Sequence, residues 1–314
     1  MKKILLATSI LAGSAGVAMA DVSFSGNAYM GLSNNFDETQ LDGERDFQFV
    51  TRVRFAVSMS GETDSGLSFG AGFDSQNAGN AGSTGNSETQ GSATAYISGS
   101  FGKITFGDVG SASDGLIGNV AGVGMELDGN KYNELGFANH DKTAVRYEGT
   151  FDSFTVMVGI GQIDSDDDGF DDQDYSVAVK YGINDNFTVY AGYEWGALDG
   201  DEDGDLVTEQ IQGSQIYLGA DATFGNLTVK ARVAERDREE GGVAIDEETA
   251  YALSVTGKFD AISATAYAAH HANGDDAFGI GGSYDLGGGA SFVAGAAQRA
   301  NADPVVDMGL KFTF

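Results

Sequence analysis

Apolar and polar residues alternate with a period of two through almost the whole chain. In segment 46–60, Phe49 and Phe55 alternate with Arg52 and Arg54. Successive side chains of a β-strand point to opposite faces, so this alternation predicts strands with one apolar and one polar face. The chain is therefore predicted to be all-β.

Sixteen segments carry the alternation, at residues 22–33, 46–60, 66–76, 91–100, 103–107, 143–150, 153–163, 174–183, 186–197, 213–224, 226–236, 248–259, 261–271, 276–286, 289–299 and 305–314. Short turns, such as 184–185, alternate with longer polar loops, such as 198–212. An even strand number with short turns at one end and long loops at the other is typical of outer-membrane barrels. A soluble β-sandwich also alternates, but it seldom contains sixteen strands. We predict a 16-stranded antiparallel transmembrane β-barrel.

The last segment predicts how the barrel closes. Met308, Leu310, Phe312 and Phe314 alternate with polar residues or glycine up to the end of the sequence. An open sheet edge cannot persist in lipid, so strand 16 must pair with strand 1.

The single proline (Pro304) suits a chain made mostly of paired strands, and the absence of cysteine excludes a disulfide-rich scaffold.

Residues 1–20 are predicted to be a cleaved signal peptide rather than part of the barrel, which forms a single domain over 21–314. Lys2 and Lys3 precede an apolar core, and Ala18-Met19-Ala20 provides a small-residue cleavage site before Asp21. The apolar core is too short for a spanning helix. The protein is thus expected to leave the cytoplasm.

The longest interruption of the alternation is residues 108–142. A structureless segment of about 35 residues is uncommon in a compact fold and is usually functional or disordered. This one contains Leu116, Ile117, Val120 and Val123, so we expect it to pack against other residues. We predict that it folds into the mouth of the barrel and narrows the pore; a mobile surface loop is the alternative.

Four stretches resemble the Gram-negative general-diffusion porins, and the Rhodobacter-type alphaproteobacterial group in particular. They are TRVRFAVSMSGETDSGLSFGAGF (51–73), SGSFGKITFGD (98–108), SYDLGGGASFVAG (283–295) and DMGLKFTF (307–314). The resemblance implies a homotrimer in the outer membrane, in contact with lipid and lipopolysaccharide. It also implies that the third long loop constricts the pore, with acids on that loop facing bases on the wall.

Parity along the strands indicates which bases face the lumen. A base in lipid costs about 2–4 kcal/mol at mid-membrane, so these bases must face water. The predicted basic wall consists of Arg52, Arg54, Lys103, Arg146 and Lys311, and four more bases share the inward parity: Lys180, Lys230, Arg232 and Lys258. The predicted acidic side of the constriction consists of Asp114, Glu126, Asp128 and Glu134. Ordinary lumen salt bridges are the alternative for some of them.

Two acidic loops space their carboxylates as calcium loops do. The candidate metal ligands are Asp164, Asp166, Asp168, Asp199, Asp201 and Asp203. Carboxylates at alternate positions around a glycine turn can converge on Ca²⁺, but the final glutamate of an EF-hand is missing from both loops. The residues fit low-affinity Ca²⁺ or Mg²⁺ binding and, equally, a solvated acidic loop.

We expect a passive, water-filled channel for ions and small hydrophilic solutes, weakly cation-selective, with no required cofactor and no nucleic-acid partner. The net charge of −30 and the acid-rich loops favour cations. Two alternatives remain: a substrate-selective channel, or a structural or adhesive barrel. An outer-membrane hydrolase has little support, because no nucleophile–base motif accompanies the three histidines.

Overall fold

The computed structural model describes most of the chain. The described residues are 21–34, 47–79, 87–125, 135, 144–161, 164–165, 171–172, 174–200, 209–300 and 303–314. The predicted signal peptide therefore lies outside the described residues. Within the described part, no helix has the length and apolar character needed to cross a membrane.

Within the described residues, sixteen strands form one closed antiparallel barrel, as predicted. The first seven are β1 (Asp21–Ser33), β2 (Gln48–Glu62), β3 (Ser68–Gly79), β4 (Ser87–Gly99), β5 (Gly102–Gly107), β6 (Ala144–Phe151) and β7 (Phe154–Ile160). The other nine are β10 (Asp174–Asn184), β11 (Phe187–Gly200), β12 (Glu209–Phe224), β13 (Leu227–Glu240), β15 (Ala250–Phe259), β16 (Ile262–His270), β17 (Asp276–Gly287), β18 (Ala290–Arg299) and β19 (Val305–Thr313). Three shorter strands belong to the long-loop end: β8 (Asp164–Ser165), β9 (Asp171–Asp172) and β14 (Val243–Ile245).

Each barrel strand pairs with its neighbours in the chain, and the first strand pairs with the last. Asn27 lies opposite Thr313 and Ser33 lies opposite Asp307 in the β1–β19 ladder. Beyond β19, the Phe314 amide donates to the Gly26 carbonyl at 2.9 Å. The predicted closure is confirmed, and no sheet edge is left along this seam.

The short turns rely on residues that tolerate positive φ. Asp152 (φ 57°) and Asp260 (φ 51°) are the two non-glycine residues with positive φ in the described part of the chain. Each follows a strand that ends in phenylalanine, in the gaps that the predicted segments leave at 151–152 and 260. Aspartate adopts this region more readily than most residues, so two-residue connections form without glycine.

The outer face of the barrel is an apolar surface. Large side chains that alternate outward are strongly exposed, among them Phe24 (65%), Phe49 (79%) and Ile280 (67%). Exposed apolar area on this scale marks a surface that contacts lipid or another protein. A sandwich would bury these side chains between its sheets, so the barrel accounts for them and the sandwich does not.

The buried core lies inside the barrel, between the inner wall and the described part of the segment 108–142. Ile117, Val120, Val123 and Met125 of this segment are each at most 4% exposed. The wall residues packed around the first three are mostly alanines, including Ala178 and Ala252. The expectation that the segment packs through its apolar residues is confirmed for these positions.

Val255 and Thr256 on β15 provide a matched test of the two faces. Val255 alternates outward, whereas Thr256 faces inward and its hydroxyl lies 2.9 Å from that of Thr265. Val255→Arg is expected to lower the free energy of unfolding by about 2–4 kcal/mol, because the guanidinium enters lipid. Thr256→Arg places the same group in the lumen and is expected to cost clearly less. Denaturant unfolding in lipid vesicles measures both, and equal costs would contradict the assigned faces.

Candidate functional site

The segment 108–142, here called the inner loop, begins with a short helix seated on the wall. Ser111 caps α1 (Ala112–Leu116), and its hydroxyl accepts from the Asp114 amide at 3.0 Å. The same hydroxyl donates to Glu194 on β11. The Ala112 amide donates to the Ser176 hydroxyl on β10 at 2.8 Å. Side chains of the wall thus provide hydrogen-bond partners for the first turn of α1, a helix too short to be stable alone.

Arg232 on β13 holds the segment that follows the helix. Its guanidinium donates to the Ile117 carbonyl at 2.8 Å and to the Gly118 carbonyl at 2.9 Å. The Tyr217 hydroxyl also donates to Gly118, at 3.0 Å. Carbonyls at the end of an α-helix have no intrahelical partners. Here side chains of β12 and β13 donate to the carbonyls of the C-cap residue Ile117 and of the next residue, Gly118.

The charge of Arg232 is neutralised at the wall. Asp221 accepts from the guanidinium at 2.7 Å, and the Tyr190 hydroxyl donates to the other carboxylate oxygen at 3.1 Å. The Tyr190 ring lies 5.1 Å from the guanidinium carbon, within cation–π range. Arg232 is 2% exposed. The prediction that this base faces water is wrong, because the inner loop covers it.

Three further contacts hold the rest of the described loop. The Ala121 amide donates to the Ser254 hydroxyl on β15 at 3.0 Å, and the Met125 amide donates to Asp307 on β19 at 2.9 Å. Farther along, the Leu135 carbonyl accepts from Arg236 at 3.5 Å. Between residues 112 and 125 the loop therefore follows the inner wall from β10 round to β19, whereas Leu135 lies back at β13.

Glycines on the inner wall give the loop room to lie close. A Cβ at Gly219 would lie 3.1 Å from Cγ2 of Ile117, and one at Gly309 would lie 2.7 Å from Sδ of Met125. A Cβ at Gly295 would lie 2.6 Å from the Gly124 Cα, which cannot move without shifting the backbone. Inward glycines on three strands thus form part of the surface against which the inner loop packs.

Arg52 and Arg54 lie on the inner face of β2, as their spacing indicates. The Arg52 guanidinium carbon lies 4.8 Å from the Tyr29 ring centroid, and its Nε has no hydrogen-bond partner among the described residues. Arg54 forms an ion pair with Asp74 on β3, whose carboxylate also accepts from Nε at 2.8 Å. Asp74 was not predicted, although inward parity on its strand points to it.

The other three predicted wall bases lie in different surroundings. Lys311 on β19 is paired in register with Tyr29, which is also paired with Arg52. These bases are thus neighbours across three strands. Arg146 on β6 donates to the Gly110 carbonyl at 3.2 Å and so contacts the start of the inner loop. Lys103 follows the 99–102 turn, with Nζ 4.5 Å from the Tyr96 ring centroid.

Most of the predicted acids fall outside the described residues. Asp114 is exposed on α1. The predicted acids Glu126, Asp128, Glu134, Asp166, Asp168, Asp201 and Asp203 lie outside the described residues. Of the remaining candidate metal ligands, Asp164 lies in β8 and Asp199 in β11. The part of the chain that is described contains no cluster of three or more His, Cys, Asp or Glu suited to a metal ion.

The sequence did not reveal the residues that hold the loop. Glu194, Arg232 and Asp307 are each at most 2% exposed and contact the loop directly. Each has inward parity, which alternation shows. Whether an inward charge meets water or a loop depends on pairing across the lumen, which alternation does not encode.

A closed barrel with an apolar outer face and a polar lumen crossed by an inner loop defines an outer-membrane channel. The profile of the family described as Gram-negative porin matches residues 7–304. A porin of Rhodobacter capsulatus is 34% identical over 326 aligned positions, covering 94% of this chain and all of the relative. The chain belongs to the Gram-negative porin family.

Solved structures agree with this assignment. A porin structure refined at 1.8 Å superposes with a TM-score of 0.73 at 31% identity, covering 94% of this chain and all of that one. A variant of the Rh. blastica porin gives a TM-score of 0.68 with the same coverage, and at 19% identity it supports the fold alone. The protein is therefore a diffusion channel of the Gram-negative outer membrane and not an enzyme.

Arg232→Met tests whether this side chain fixes the inner loop. Methionine keeps the aliphatic bulk and removes every donor, and breaking a buried ion pair costs about 3–5 kcal/mol. The backbone ladder of the barrel is unchanged, so the loss is expected to loosen the loop. Single-channel recordings should show a higher mean conductance and more open-channel noise.

Lys230→Met is the matched control, because it removes an equal charge two residues earlier on the inner face of β13. It should leave the noise unchanged. Equal noise in both variants, with both barrels folded, would show that Arg232 does not position the loop.

Proposed function

We propose that this porin is a passive, water-filled channel for ions and small hydrophilic solutes, narrowed by the inner loop and weakly cation-selective. The observation that carries the proposal is the series of bonds from loop backbone to wall side chains on β10, β13, β15 and β19. A segment held in this way occupies part of the lumen cross-section. Removing it should widen the pore.

We also propose that the neck carries opposed charges. Arg52, Arg54 and Lys311 supply the basic side, and their positions on β2 and β19 support this role. Arg146 extends the basic side towards the start of the loop, and Lys103 adds a base near the short-turn opening. The acidic side is assigned to the inner loop, at Asp114, Glu126, Asp128 and Glu134. Opposed charges in a narrow aqueous neck create a transverse field that polar solutes can follow.

The preference for cations is assigned to the long-loop mouth. Residues 164–174 contain seven acids and no base, and residues 198–212 contain six acids and no base. In water their field extends about 8 Å at physiological salt, so they concentrate cations without holding them tightly. The neck contributes less, since Asp74 already neutralises Arg54 and Asp221 neutralises Arg232.

Several features of the mature protein belong to the same proposal. Residues 1–20 are removed as a signal peptide. The barrel assembles as a homotrimer in contact with lipid and lipopolysaccharide. The acidic loops, including Asp164 and Asp199, bind Ca²⁺ or Mg²⁺ weakly, which reduces repulsion among their carboxylates. The extended apolar outer face, with Phe24 and Phe49 exposed, supports contact with lipid or a second copy.

Deleting residues 116–134 tests the constriction directly. The described part of the deleted segment, residues 116–125, contributes no barrel strand, so the barrel should still assemble. Single-channel conductance in planar bilayers should rise, because the occupied part of the lumen becomes water. Unchanged conductance in a correctly folded deletion would mean that the loop does not narrow the pore.

Ion selectivity follows from the charge of the mouth. Reversal potentials in a KCl gradient should show a weak to moderate preference for K⁺ that is strongest at low salt and fades as screening increases. Added Ca²⁺ should reduce the preference if the acidic loops bind it. A preference for Cl⁻ at low salt would show that Arg52, Arg54 and Lys311 dominate instead.

A further inference from the structure

A pocket of about 490 Å³ lies on the wall near the long-loop ends of β11, β12 and β13. Its central row is Trp195, Ser214 and Asp237, since Ser214 is paired in register with the other two. Glu194 and Gln215, each next to a residue of this row, are buried on the inner face. Because neighbours along a strand point to opposite faces, the row points outward, away from the lumen.

Two edges of different chemistry border the pocket. At one edge the Trp195 ring centroid lies 5.7 Å from that of Tyr175, so two aromatic rings stand together. Asp237 stands at the other edge, and two strand spacings place its backbone about 10 Å from that of Trp195. The small side chain of Ser214 leaves the space between them open. The face of an aromatic ring carries partial negative charge and attracts the C–H groups of a sugar ring.

The polar groups of the pocket favour a ligand that donates hydrogen bonds and carries no negative charge. Ionised carboxylates only accept hydrogen bonds. Asp237 forms no hydrogen bond or ion pair with any described residue, and Glu239 accepts from the Gln212 amide at 3.2 Å. The base among the described lining residues, Arg238, lies 3.8 Å from Glu240, which offsets its charge. Sugar hydroxyls can donate to these carboxylates, whereas a phosphate would be repelled.

An apolar surface begins directly beside the pocket, on the side of the short turns. Ile216 and Leu218, which follow Ser214 with the same parity on β12, are 54% and 50% exposed. Val233 on β13 is paired in register with Leu218 and is also exposed. Tryptophan and tyrosine are enriched where a membrane surface meets water, which agrees with the place of Trp195 above this apolar band. A molecule with a sugar at one end and a hydrocarbon tail at the other matches both regions.

We propose that this pocket binds the uncharged sugar headgroup of a membrane glycolipid, whose tail lies along the apolar surface of β12 and β13. The pocket volume is within the roughly 300–1,000 Å³ of ligand sites, which suits a small sugar headgroup. The inference rests on the lipid contact proposed above for the barrel, and it deepens that contact by naming the headgroup and the residues that hold it.

Trp195 is the only tryptophan of the chain, so its fluorescence reports on this pocket alone. The mature porin is placed in phosphatidylcholine vesicles that contain a test lipid with brominated acyl chains, since bromine quenches tryptophan only at close contact. Brominated glucosyl diacylglycerol should quench at a mole fraction about fivefold lower than brominated phosphatidylcholine, the factor expected for one net hydrogen bond. Brominated phosphatidylglycerol should show no such advantage.

Two outcomes of the quenching experiment would overturn the proposal. Equal quenching by all three lipids would show that the pocket does not recognise the headgroup. Stronger quenching by phosphatidylglycerol would show that it prefers an anion. Excess methyl glucoside in the water phase tests the source of the sugar: persistent quenching supports a membrane-anchored ligand, whereas complete relief would assign the pocket to soluble sugars instead.

Two variants locate the site. Asp237→Ala removes the carboxylate and Ser214→Phe fills the space beside Trp195, and each should abolish the advantage of the glucosyl lipid. Asp185→Ala is the control, because it removes an equal charge from the short turn between β10 and β11, at the other end of the barrel. If Asp185→Ala lowers the advantage as much as Asp237→Ala, general surface charge explains the effect and the site is rejected.

Conductance in KCl separates this inference from the proposed function. The pocket lies outside the lumen, so every variant should conduct as the parent channel does. A conducting porin without preferential quenching would reject the glycolipid site alone. Folded protein without conductance would reject the proposed channel, whatever lipid it prefers.

Discussion

The bonds from Arg232 to the Ile117 and Gly118 carbonyls are the contact on which the shape of the lumen depends. Outside α1, the described part of the inner loop has no regular secondary structure, so its backbone groups need partners elsewhere. Arg232 supplies them from the wall, and Asp221 and Tyr190 neutralise and orient it. A polar network of this kind is favourable only when every member has a partner. Here the network fixes the position of the inner loop and therefore the boundary between the barrel wall and the open pore.

The architecture could be predicted because a lipid environment permits few arrangements of the backbone. Every backbone group in the membrane must be paired within the protein, so alternating segments must close into a barrel. The turn at Asp152 and the closure at Phe314 both followed from local sequence. The ends of strands were less predictable: β13 continues to Glu240, beyond the predicted end at residue 236, because β14 pairs with its last residues.

The site was predictable only as far as the face of each strand. Alternation placed Arg52, Arg54 and Arg232 on the inner face alike, yet Arg54 pairs with Asp74 and Arg232 is covered by the loop. Small inward residues did not indicate their surroundings either. An alanine such as Ala252 or a glycine such as Gly295 suits both a surface that lines the water-filled lumen and a surface packed against the inner loop. Contacts between side chains of different strands and the loop decide between these outcomes, and some join residues far apart in the chain, as Arg232 and Gly118 are 114 positions apart.

A reversible cross-link tests most directly that the inner loop is fixed to the wall. Cβ of Ser113 lies 3.4 Å from the position of a Cβ at Gly192, near the spacing of a disulfide, and the chain contains no other cysteine. Ser113→Cys/Gly192→Cys should form the bond in the folded barrel and leave conductance unchanged on oxidation. In the Arg232→Met background, oxidation should lower the noise to that of the parent channel and reduction should restore it. Failure of the bond to form in the folded porin, or a change in parent conductance on oxidation, would contradict the account.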